Sequence, residues 1–381
     1  METGFSLKDR LFNAEKVRYL AGLFSAVDSG FDPTGFQRQV MSRLPDLELK
    51  QRIGWIAECL CDQLPGPLPR TAPVLRAALP PALDPSLSDG DFGDFIFAPL
   101  GEVVVLQGME HPELALDLIE DLTQRFSMEW AIRPFLNQWP EQVLLRMRNW
   151  VAHDNYHVRR LVSEGTRPRL PWGLGVTLNV TAPLPLLDIL QGDATRYVTR
   201  SVANHLNDIS KTDPDLVMDR LAAWTDLGAQ GRDELDWMMR HALRGLVKAG
   251  HPRAMTLLGF DPSARIDVLA FDVPATIAIG QVLLLSVTLR APGPVRALVD
   301  YVLWRRRADG RLSPKVFKLK QVRLMAGKAV TLQKSHRLKG DATTFRLYPG
   351  AHRIELQVNG RVLAGADFDL TEGGGPKTQN G

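Results

Sequence analysis

The amino-acid sequence predicts a multidomain, α-then-β protein: an N-terminal α-solenoid of HEAT-like repeats followed by a C-terminal immunoglobulin-like β-sandwich. Three observations lead to this fold class. Apolar residues recur at three- and four-residue spacing over residues 7–259. An aromatic-x-x-Arg unit recurs within that stretch. From residue 266 onward, short and often alternating segments are separated by turn signals.

The helical spacing is clearest over residues 15–27, 49–64, 112–126 and 214–227, with Pro, Gly, Asp and Asn between such stretches. The aromatic-x-x-Arg unit begins at Trp130, Tyr156, Tyr197 and Trp237. The last three lie about 40 residues apart, which is the period of two-helix HEAT-type repeats, whereas the first interval is only about 26 residues. Equivalent positions on stacked helices predict a basic stripe along a concave face. The alternative is packed aromatic rings with solvated arginines.

Seven strands are predicted in the C-terminal part, over residues 266–271, 281–289, 297–305, 315–324, 329–334, 350–358 and 361–370. The turn signals between them include Asp309-Gly310, Ala326-Gly327 and Asn359-Gly360. Seven short strands in about 105 residues are typical of an immunoglobulin-like sandwich. We therefore expect a helical domain over residues 1–262, a sandwich over 263–371 and a disordered tail over 372–381.

The net charge of +3 hides a strong asymmetry. Residues 1–265 contain 28 lysines and arginines against 34 acidic residues, whereas residues 266–371 contain 17 against 8. A basic domain beside an acidic one points to a polyanionic partner. With 45% hydrophobic and 23% charged residues, the composition is that of a globular protein with a core.

Several classes of protein are disfavoured by the sequence. No apolar run reaches the roughly 18–20 residues of a membrane helix, and the N-terminus lacks the features of a secretory signal. The two cysteines, Cys59 and Cys61, are expected to be reduced core thiols, consistent with a cytoplasmic location. A glycine-rich phosphate loop and a zinc quartet are both missing. His153 and His157 share a helix face but have no evident acidic third ligand, so no metal and no cofactor is predicted.

Three carboxylates accompany the aromatic-x-x-Arg units: Glu129, Glu164 and Asp208. On stacked repeats they would converge on one patch among arginine and tryptophan side chains. Carboxylates there can stabilise positive charge developing on a sugar and orient water, while cations bind phosphates. The simpler alternative is two surface ion pairs, Glu164 with Arg160 and Asp208 with Lys211, which would contribute little.

Four runs of sequence carry a family resemblance: RRLVSEGTRPRLPW (residues 159–172), SVANHLNDISK (201–211), EWAIRPF (129–135) and HALRGLVKAG (241–250). They resemble the AlkC branch of the AlkC/AlkD DNA alkylation-repair glycosylases, over most of the helical region. Members of this branch can also carry a C-terminal immunoglobulin-like domain. The resemblance implies a bacterial base-excision-repair enzyme that removes positively charged N-alkylated bases, chiefly 3-methyladenine and 3-methylcytosine, without full base flipping.

The resemblance also assigns expected roles to residues. It implies that Glu129, Glu164 and Asp208 line the sugar of the lesion as catalytic carboxylates. It further implies DNA contacts for Trp172, Arg160, Arg159, Arg167, Arg169, Arg200, Asn204, Arg240 and Arg244. A cationic base is already a good leaving group, so no general acid is needed. The expected partner is duplex DNA containing alkylated bases, with no membrane partner, bound by a monomer.

The predicted sandwich has a basic run of its own over residues 304–320, which includes Arg305, Arg306, Arg307, Lys315 and Lys318. Solvated charge is the usual explanation of such a run. Behind a DNA-reading solenoid, a clamp on the DNA backbone becomes the favoured interpretation. Two alternatives for the whole protein stay open: a non-catalytic HEAT-repeat DNA-binding protein, and a protein-binding solenoid with an adhesion-type sandwich.

Overall fold

The computed structural model describes residues 6–87, 92–340 and 345–373. The predicted disordered tail lies, from residue 374 onward, outside the described residues. Backbone contacts divide the chain into two compact units, residues 1–213 with 223–242 and residues 214–222 with 243–381. In the part of the chain that is described, no helix is both long and apolar enough to cross a membrane.

Helices follow one another through the first two thirds of the chain, as the apolar spacing predicts. In order they are α1 (Leu7–Leu11), α2 (Ala14–Ser25), α3 (Pro33–Met41), α4 (Leu49–Gln63), α5 (Leu68–Ala77), α6 (Ala98–Gly108), α7 (Pro112–Thr123), α8 (Ile132–Gln138), α9 (Pro140–Trp150), α10 (Tyr156–Gly165), α11 (Leu184–Leu190), α12 (Arg196–Ile209), α13 (Pro214–Leu227), α14 (Arg232–Ala242), α15 (Arg244–Lys248) and α16 (Pro252–Leu257). Two single 3₁₀ turns, Leu44–Asp46 and Phe95–Phe97, lie between them.

Polar side chains begin several of these helices. The side chain of Asn13 accepts hydrogen bonds from the backbone N–H groups of Glu15 and Lys16, both at 3.1 Å. At the start of α10, Asn155 accepts from the backbone N–H of His157 at 2.9 Å. These bonds satisfy N–H groups that have no partner within the helix.

The last three aromatic-x-x-Arg units lie on three helices that pack side by side, α10 against α12 and α12 against α14. The aromatic residues of these three units are Tyr156, Tyr197 and Trp237, and the first two are buried. The expectation of four equivalent helices is wrong for the first unit, because Trp130 lies in a turn before α8. The short first interval in the sequence reflects this difference.

All seven predicted strands are present, and one further short strand precedes the second of them. The strands are β1 (Asp267–Asp272), β2 (Thr276–Ala278), β3 (Val282–Arg290), β4 (Val295–Arg306), β5 (Leu312–Leu324), β6 (Val330–Arg337), β7 (Gly350–Val358) and β8 (Arg361–Thr371). They form a three-stranded sheet in the order β1-β3-β6 and a five-stranded sheet in the order β2-β8-β7-β4-β5. Pairing is antiparallel except between β2 and β8.

Alternate residues of both sheets form the sandwich core. Leu283 and Leu285 of β3 contact the core cluster that contains Tyr301 and Leu303 of β4 and Ile354 of β7. The period-two alternation of apolar residues therefore places one face of each sheet inside, as the sequence indicates. The helix-then-sandwich order confirms the predicted fold class.

The second unit also contains the last two helices. Asn359, at a φ of 45° in the turn between β7 and β8, donates from Nδ2 to the carbonyl of Asp261 at 2.9 Å. Met255, Phe260 and Leu298 form a small core cluster of their own. The chain changes from helices to strands between Leu257, where α16 ends, and Asp267, where β1 begins, and the backbone contacts group α15 and α16 with the sandwich.

Candidate active site

The three predicted carboxylates lie on three different structural elements of the first unit. Glu129 lies in the turn before α8, Glu164 in the last turn of α10 and Asp208 in the last turn of α12. Because α10 packs against α12, equivalent positions near their carboxyl ends are adjacent. Glu164 and Asp208 are buried, with 5% and 4% of their surfaces exposed.

Arginines join these carboxylates into one chain of alternating charges. Arg160 Nη1 lies 2.8 Å from Oε2 of Glu129, and its Nη2 lies 3.6 Å from Oε2 of Glu164. The guanidinium of Arg167 lies between the other two carboxylates. Its Nη1 is 2.5 Å from Oε1 of Glu164, and its Nη2 is 2.8 Å from Oδ2 of Asp208.

Lys211 ends the chain of charges, 2.9 Å from Oδ1 of Asp208. The two pairs that the simpler interpretation placed on the surface, Glu164 with Arg160 and Asp208 with Lys211, are therefore both present. Their carboxylates are buried, however, and belong to a connected network rather than to isolated surface pairs. Pairing of this kind compensates the cost of burying charge.

The carboxylates differ in how many of their oxygens are already bonded. The hydroxyl of Ser127 and Arg160 both donate to Oε2 of Glu129, each at 2.8 Å, and Oε1 accepts no hydrogen bond from the described residues. Glu164 accepts a hydrogen bond from the Ser201 hydroxyl on Oε2, at 2.6 Å, and another from the Arg167 guanidinium on Oε1. Among the three, Glu129 thus offers an oxygen that can bind a further donor.

The surroundings of Glu164 and Arg160 favour the charged forms of both side chains. Burial alone would raise the pKa of Glu164, but the charges of Arg160 and Arg167 and the hydrogen bond from Ser201 outweigh it and hold the pKa below its usual value. Burial likewise opposes the charge of Arg160, and the carboxylates of Glu129 and Glu164 raise its pKa above the usual value in spite of it. Glu164 and Arg160 therefore each stabilise the charged form of the other.

Arg133, an arginine of the aromatic-x-x-Arg motif, is fully buried rather than part of a basic stripe. Its Nη1 donates to the carbonyl oxygens of Gly165 at 2.8 Å and Arg167 at 3.0 Å, and its Nε donates to that of Leu174. Gly165 lets the end of α10 lie close to Ile132, the residue before Arg133, since a Cβ at Gly165 would lie 2.6 Å from Cγ2 of Ile132. Arg133 therefore fixes both ends of the loop over residues 166–174.

That loop presents Trp172 to solvent. The residue has a φ of 58°, and 62% of its surface is exposed. Lys50 donates to its carbonyl oxygen at 2.6 Å, and the indole N–H of Trp130 donates to that of Pro171 at 3.3 Å. A left-handed backbone at a tryptophan is held by such contacts at an energetic cost, which is a common feature of functional sites. The exposed indole offers a flat apolar face to solvent.

A pocket of about 170 Å³ adjoins the Glu129 end of the network. Its lining consists of aromatic rings and three polar residues: Phe92, Phe95, Phe126, Ser127, Glu129, Trp130, Arg160 and Tyr197. The guanidinium of Arg160 lies 4.6 Å from the centre of the Tyr197 ring. Local sequence carries no sign of this pocket, because its walls come from residues about 100 positions apart.

The other residues of the helical region that are predicted to contact DNA have varied surroundings. Arg159 donates to Asp193, with Nε 2.6 Å from Oδ2, and to the carbonyl of His153. Asn204 lies 2.8 Å from Nε2 of His241. Arg169 and Arg240 are exposed, and Arg200 and Arg244 are partly buried. The structure thus brings Arg160 and Arg167 into the carboxylate network and leaves Arg169 and Arg240 on the surface.

The basic run of the sandwich forms a groove of about 310 Å³, lined by Arg305, Arg306, Arg307, Ala308, Ser313, Phe345, Arg346 and Tyr348. Arg305 and Lys315 both lie over the ring of Phe345, at 4.6 and 5.7 Å from its centre. Arg307 and Lys318 are exposed. Arg346 lies beyond the predicted hairpin, and only its place in the fold reveals that it belongs to this groove.

The two histidines considered as metal ligands, His153 and His157, contact different residues. His153 lies 3.4 Å from Oε1 of Glu120, whereas His157 is buried against the rings of Tyr156 and Tyr197. Over residues 6–87, 92–340 and 345–373, no three His, Cys, Asp or Glu side chains are grouped so that they could hold a metal ion. Cys59 and Cys61 are free thiols.

Fold and site together define a class of protein: a helical-repeat solenoid with a buried carboxylate–arginine network, followed by an immunoglobulin-like domain. Residues 267–372 match the family model described as the C-terminal Ig-like domain of the uncharacterised protein YhaZ. The uncharacterised protein YhaZ of Bacillus subtilis is 32% identical over 330 residues, covering 86% of this chain and 88% of that protein.

A solved structure extends the similarity to almost the whole chain. It is that of the alkylpurine DNA glycosylase AlkC of Pseudomonas fluorescens, bound to DNA containing an abasic site analog. The two chains are 34% identical with a TM-score of 0.86, over 96% of this chain and 100% of that one. This protein belongs to the AlkC branch of the AlkC/AlkD family of HEAT-like-repeat DNA alkylation-repair glycosylases.

Proposed function

We propose that this protein is a DNA glycosylase that excises positively charged N-alkylated bases, 3-methyladenine and 3-methylcytosine, from duplex DNA. Family membership and the basic second unit support a DNA substrate. The observation that carries the proposal is the arginine-linked row of carboxylates, with one unbonded oxygen on Glu129 and an exposed indole at Trp172. The protein is proposed to act as a monomer in the bacterial cytoplasm.

The proposed reaction breaks the bond between C1′ of the deoxyribose and the nitrogen of the base. The bonding electron pair leaves with the base, which thereby loses its positive charge. The sugar passes through an oxocarbenium-like transition state, which the carboxylates stabilise electrostatically. Water adds to C1′ and releases a proton, leaving an abasic site. No general acid is required, since the alkylated base is already cationic.

The residues would share this work according to their bonding. Oε1 of Glu129 can accept a hydrogen bond from the attacking water, because its other oxygen already receives Ser127 and Arg160. Glu164 and Asp208, whose oxygens are occupied, would act through their charge. Trp172 would pack against the deoxyribose or base, and the exposed Arg169 and Arg240 would contact phosphates. This arrangement reaches the sugar without full base flipping.

The test is release of free 3-methyladenine and 3-methylcytosine from methylated duplex DNA under single-turnover conditions. The wild type should release both, and Glu129→Gln, Glu164→Gln or Asp208→Asn should slow release by at least about tenfold in one or more variants while DNA binding is kept. The matched control is Glu113→Gln, which changes a carboxylate of α7 that pairs with Arg146 of α9. A folded wild type that binds DNA and releases neither base would instead indicate a non-catalytic DNA-binding protein.

A further inference from the structure

The pocket beside Glu129 is a formed cavity. Phe95 and Phe126 pack with ring centres 4.6 Å apart, and Phe92 meets Tyr197 edge to face at 5.8 Å. A backbone bridge between Gly93 and Phe126 joins the two walls. The lining is therefore held by backbone pairing as well as by ring contacts.

Gly93 is a requirement of this construction. Its φ is 75°, and a Cβ at this position would lie 1.8 Å from the carbonyl oxygen of Arg125. Only glycine fits such a close approach with a left-handed backbone. The chain thus places Phe92 and Phe95 on either side of a backbone contact that no other residue type would allow.

The size and lining of the pocket select a class of ligand. A cavity of about 150 Å³ holds a single benzene ring, whereas pockets for drug-sized ligands begin at about 300 Å³. At about 170 Å³ the pocket suits one planar ring system rather than a whole nucleotide. Aromatic walls stack with heteroaromatic bases, and Oε1 of Glu129 can accept an N–H donor from the edge of such a base. Simple ions lack the flat apolar faces that these walls would contact.

The polar groups of the pocket also suit such an edge. Arg160 is a guanidinium donor, and Tyr197 carries a hydroxyl that has no hydrogen-bond partner among the described residues. Burial raises the pKa of Tyr197 to about 12, so the hydroxyl keeps its proton. The guanidinium donor of Arg160 and the carboxylate acceptor of Glu129 therefore line the same small space, which matches the mixed edge of a purine or a pyrimidine.

We propose that this pocket binds a free nucleobase, and specifically the alkylated base after its release from DNA. The identity of the base rests on the proposed function, whereas the pocket's affinity for a planar heteroaromatic ring does not. Glu129 belongs both to the carboxylate network and to the pocket lining, so a released base has a binding site next to the place where its bond breaks. The free base is accordingly a product inhibitor of the enzyme.

The experiment titrates the full-length protein, without DNA, with 3-methyladenine as the free base, by isothermal titration calorimetry and saturation-transfer difference NMR. Saturable binding to the wild type is expected, weakened at least about fivefold in Phe92→Ala, which removes one aromatic wall. Phe92 is half exposed, so its truncation spares the fold. Glu129→Gln should also weaken binding. Tyr19→Ala, which removes a similarly exposed ring outside the pocket lining, should leave it unchanged.

A second measurement adds free 3-methyladenine to single-turnover base release. The concentration that halves the rate should be higher in Phe92→Ala than in the wild type. An active wild type that does not bind the free base, or binding that is equal in wild type, Phe92→Ala and Glu129→Gln, would overturn the pocket assignment and leave the glycosylase proposal standing. A protein that releases no base from DNA, but binds the free base more weakly in Phe92→Ala and Glu129→Gln than in the wild type, would overturn the glycosylase proposal and leave the pocket assignment standing.

Discussion

The guanidinium of Arg133 is fully buried and donates from Nη1 to the carbonyl oxygen of Gly165 at 2.8 Å. Through its further bonds to the carbonyls of Arg167 and Leu174, it holds the loop that carries both Arg167 and Trp172. Arg167 in turn joins Glu164 to Asp208. A side chain without direct access to solvent thus determines where the candidate active site places its charges and its exposed indole.

Replacing Arg133 by lysine should destabilise the protein substantially. An ammonium group keeps the charge but cannot reach three carbonyl oxygens with the geometry of a guanidinium, so buried acceptors lose their donors. We expect the free energy of unfolding to fall by about 3 kcal/mol, measured by urea denaturation. Arg148→Lys on the exposed face of α9 is the matched control and should change it by less than about 0.5 kcal/mol. Equal stability of the two variants would contradict the anchoring role.

The backbone at Trp172 allows the role of its ring to be separated from its conformation. At a φ of 58°, alanine retains the left-handed strain and glycine relieves it, so Trp172→Gly should be about 1 kcal/mol more stable than Trp172→Ala. Both should lose base-release activity, because both lack the indole. Urea denaturation and single-turnover release measure the two effects.

Leu174 supplies the control for this comparison, since it lies exposed in the same loop and has no positive φ. There the order should reverse, with Leu174→Gly less stable than Leu174→Ala. The same order at both positions would show that the backbone of Trp172 is not strained.

Regular elements were the most predictable part of this protein. Helix α13 and strands β7 and β8 begin and end within one residue of their predicted bounds, because apolar periodicity and Asn-Gly or Pro signals mark their ends. Strand β2 was missed, since three residues are too few to show a period. Its parallel pairing with β8 joins segments about 90 residues apart, and local sequence carries no sign of it.

The candidate site was predictable in its residue types but not in its connections. Glu129, Glu164 and Asp208 could be named from motifs, whereas the network that joins them through Arg160 and Arg167 depends on helix packing. The repeat pattern predicts a surface stripe for the arginines of the aromatic-x-x-Arg units, because arginine is rarely buried. The burial of Arg133 became visible only with the fold, as did the Ser127 and Ser201 hydroxyls that bond the carboxylates.

His205 should make stability depend on pH between about 6.5 and 4. Burial lowers its pKa from 6.5 to about 4, and its Nδ1 lies 3.1 Å from the carbonyl oxygen of Ser163. The unfolded chain therefore binds a proton in this range that the folded protein does not bind, so stability falls as the pH falls from 6.5 toward 4. The contribution of this one group reaches about 3 kcal/mol.

The measurement is urea denaturation at pH 7 and pH 5 for the wild type and His205→Asn, whose amide can still donate to Ser163. The loss of stability between these values should be smaller in the variant. His111→Asn, at a partly exposed position before α7, should retain the wild-type loss. Identical pH dependence in wild type and His205→Asn would show that His205 does not control it.

Substitutions in the basic run of the sandwich should show which of its side chains contribute to DNA binding and which contribute to stability. Arg307 and Lys318 are exposed, so Arg307→Gln and Lys318→Gln should weaken DNA binding. For each phosphate that is no longer neutralised, the slope of log affinity against log salt should become shallower by about 0.9. Arg305 packs on Phe345, and burial lowers its pKa. Arg305→Gln should therefore also reduce the stability of the sandwich.

Fluorescence anisotropy with duplex DNA at several salt concentrations measures the slope, and urea denaturation measures the stability. Arg290→Gln on β3, in the three-stranded sheet, is the matched control for removal of a surface charge. An equal change of slope in this control would mean that the net charge of the second unit, rather than the groove, attracts DNA. A change at Arg307 that the control lacks would instead locate phosphate contacts in the groove, whereas a change at Lys318 would locate them on β5 outside the groove lining, because the two variants and the control each remove a single positive charge.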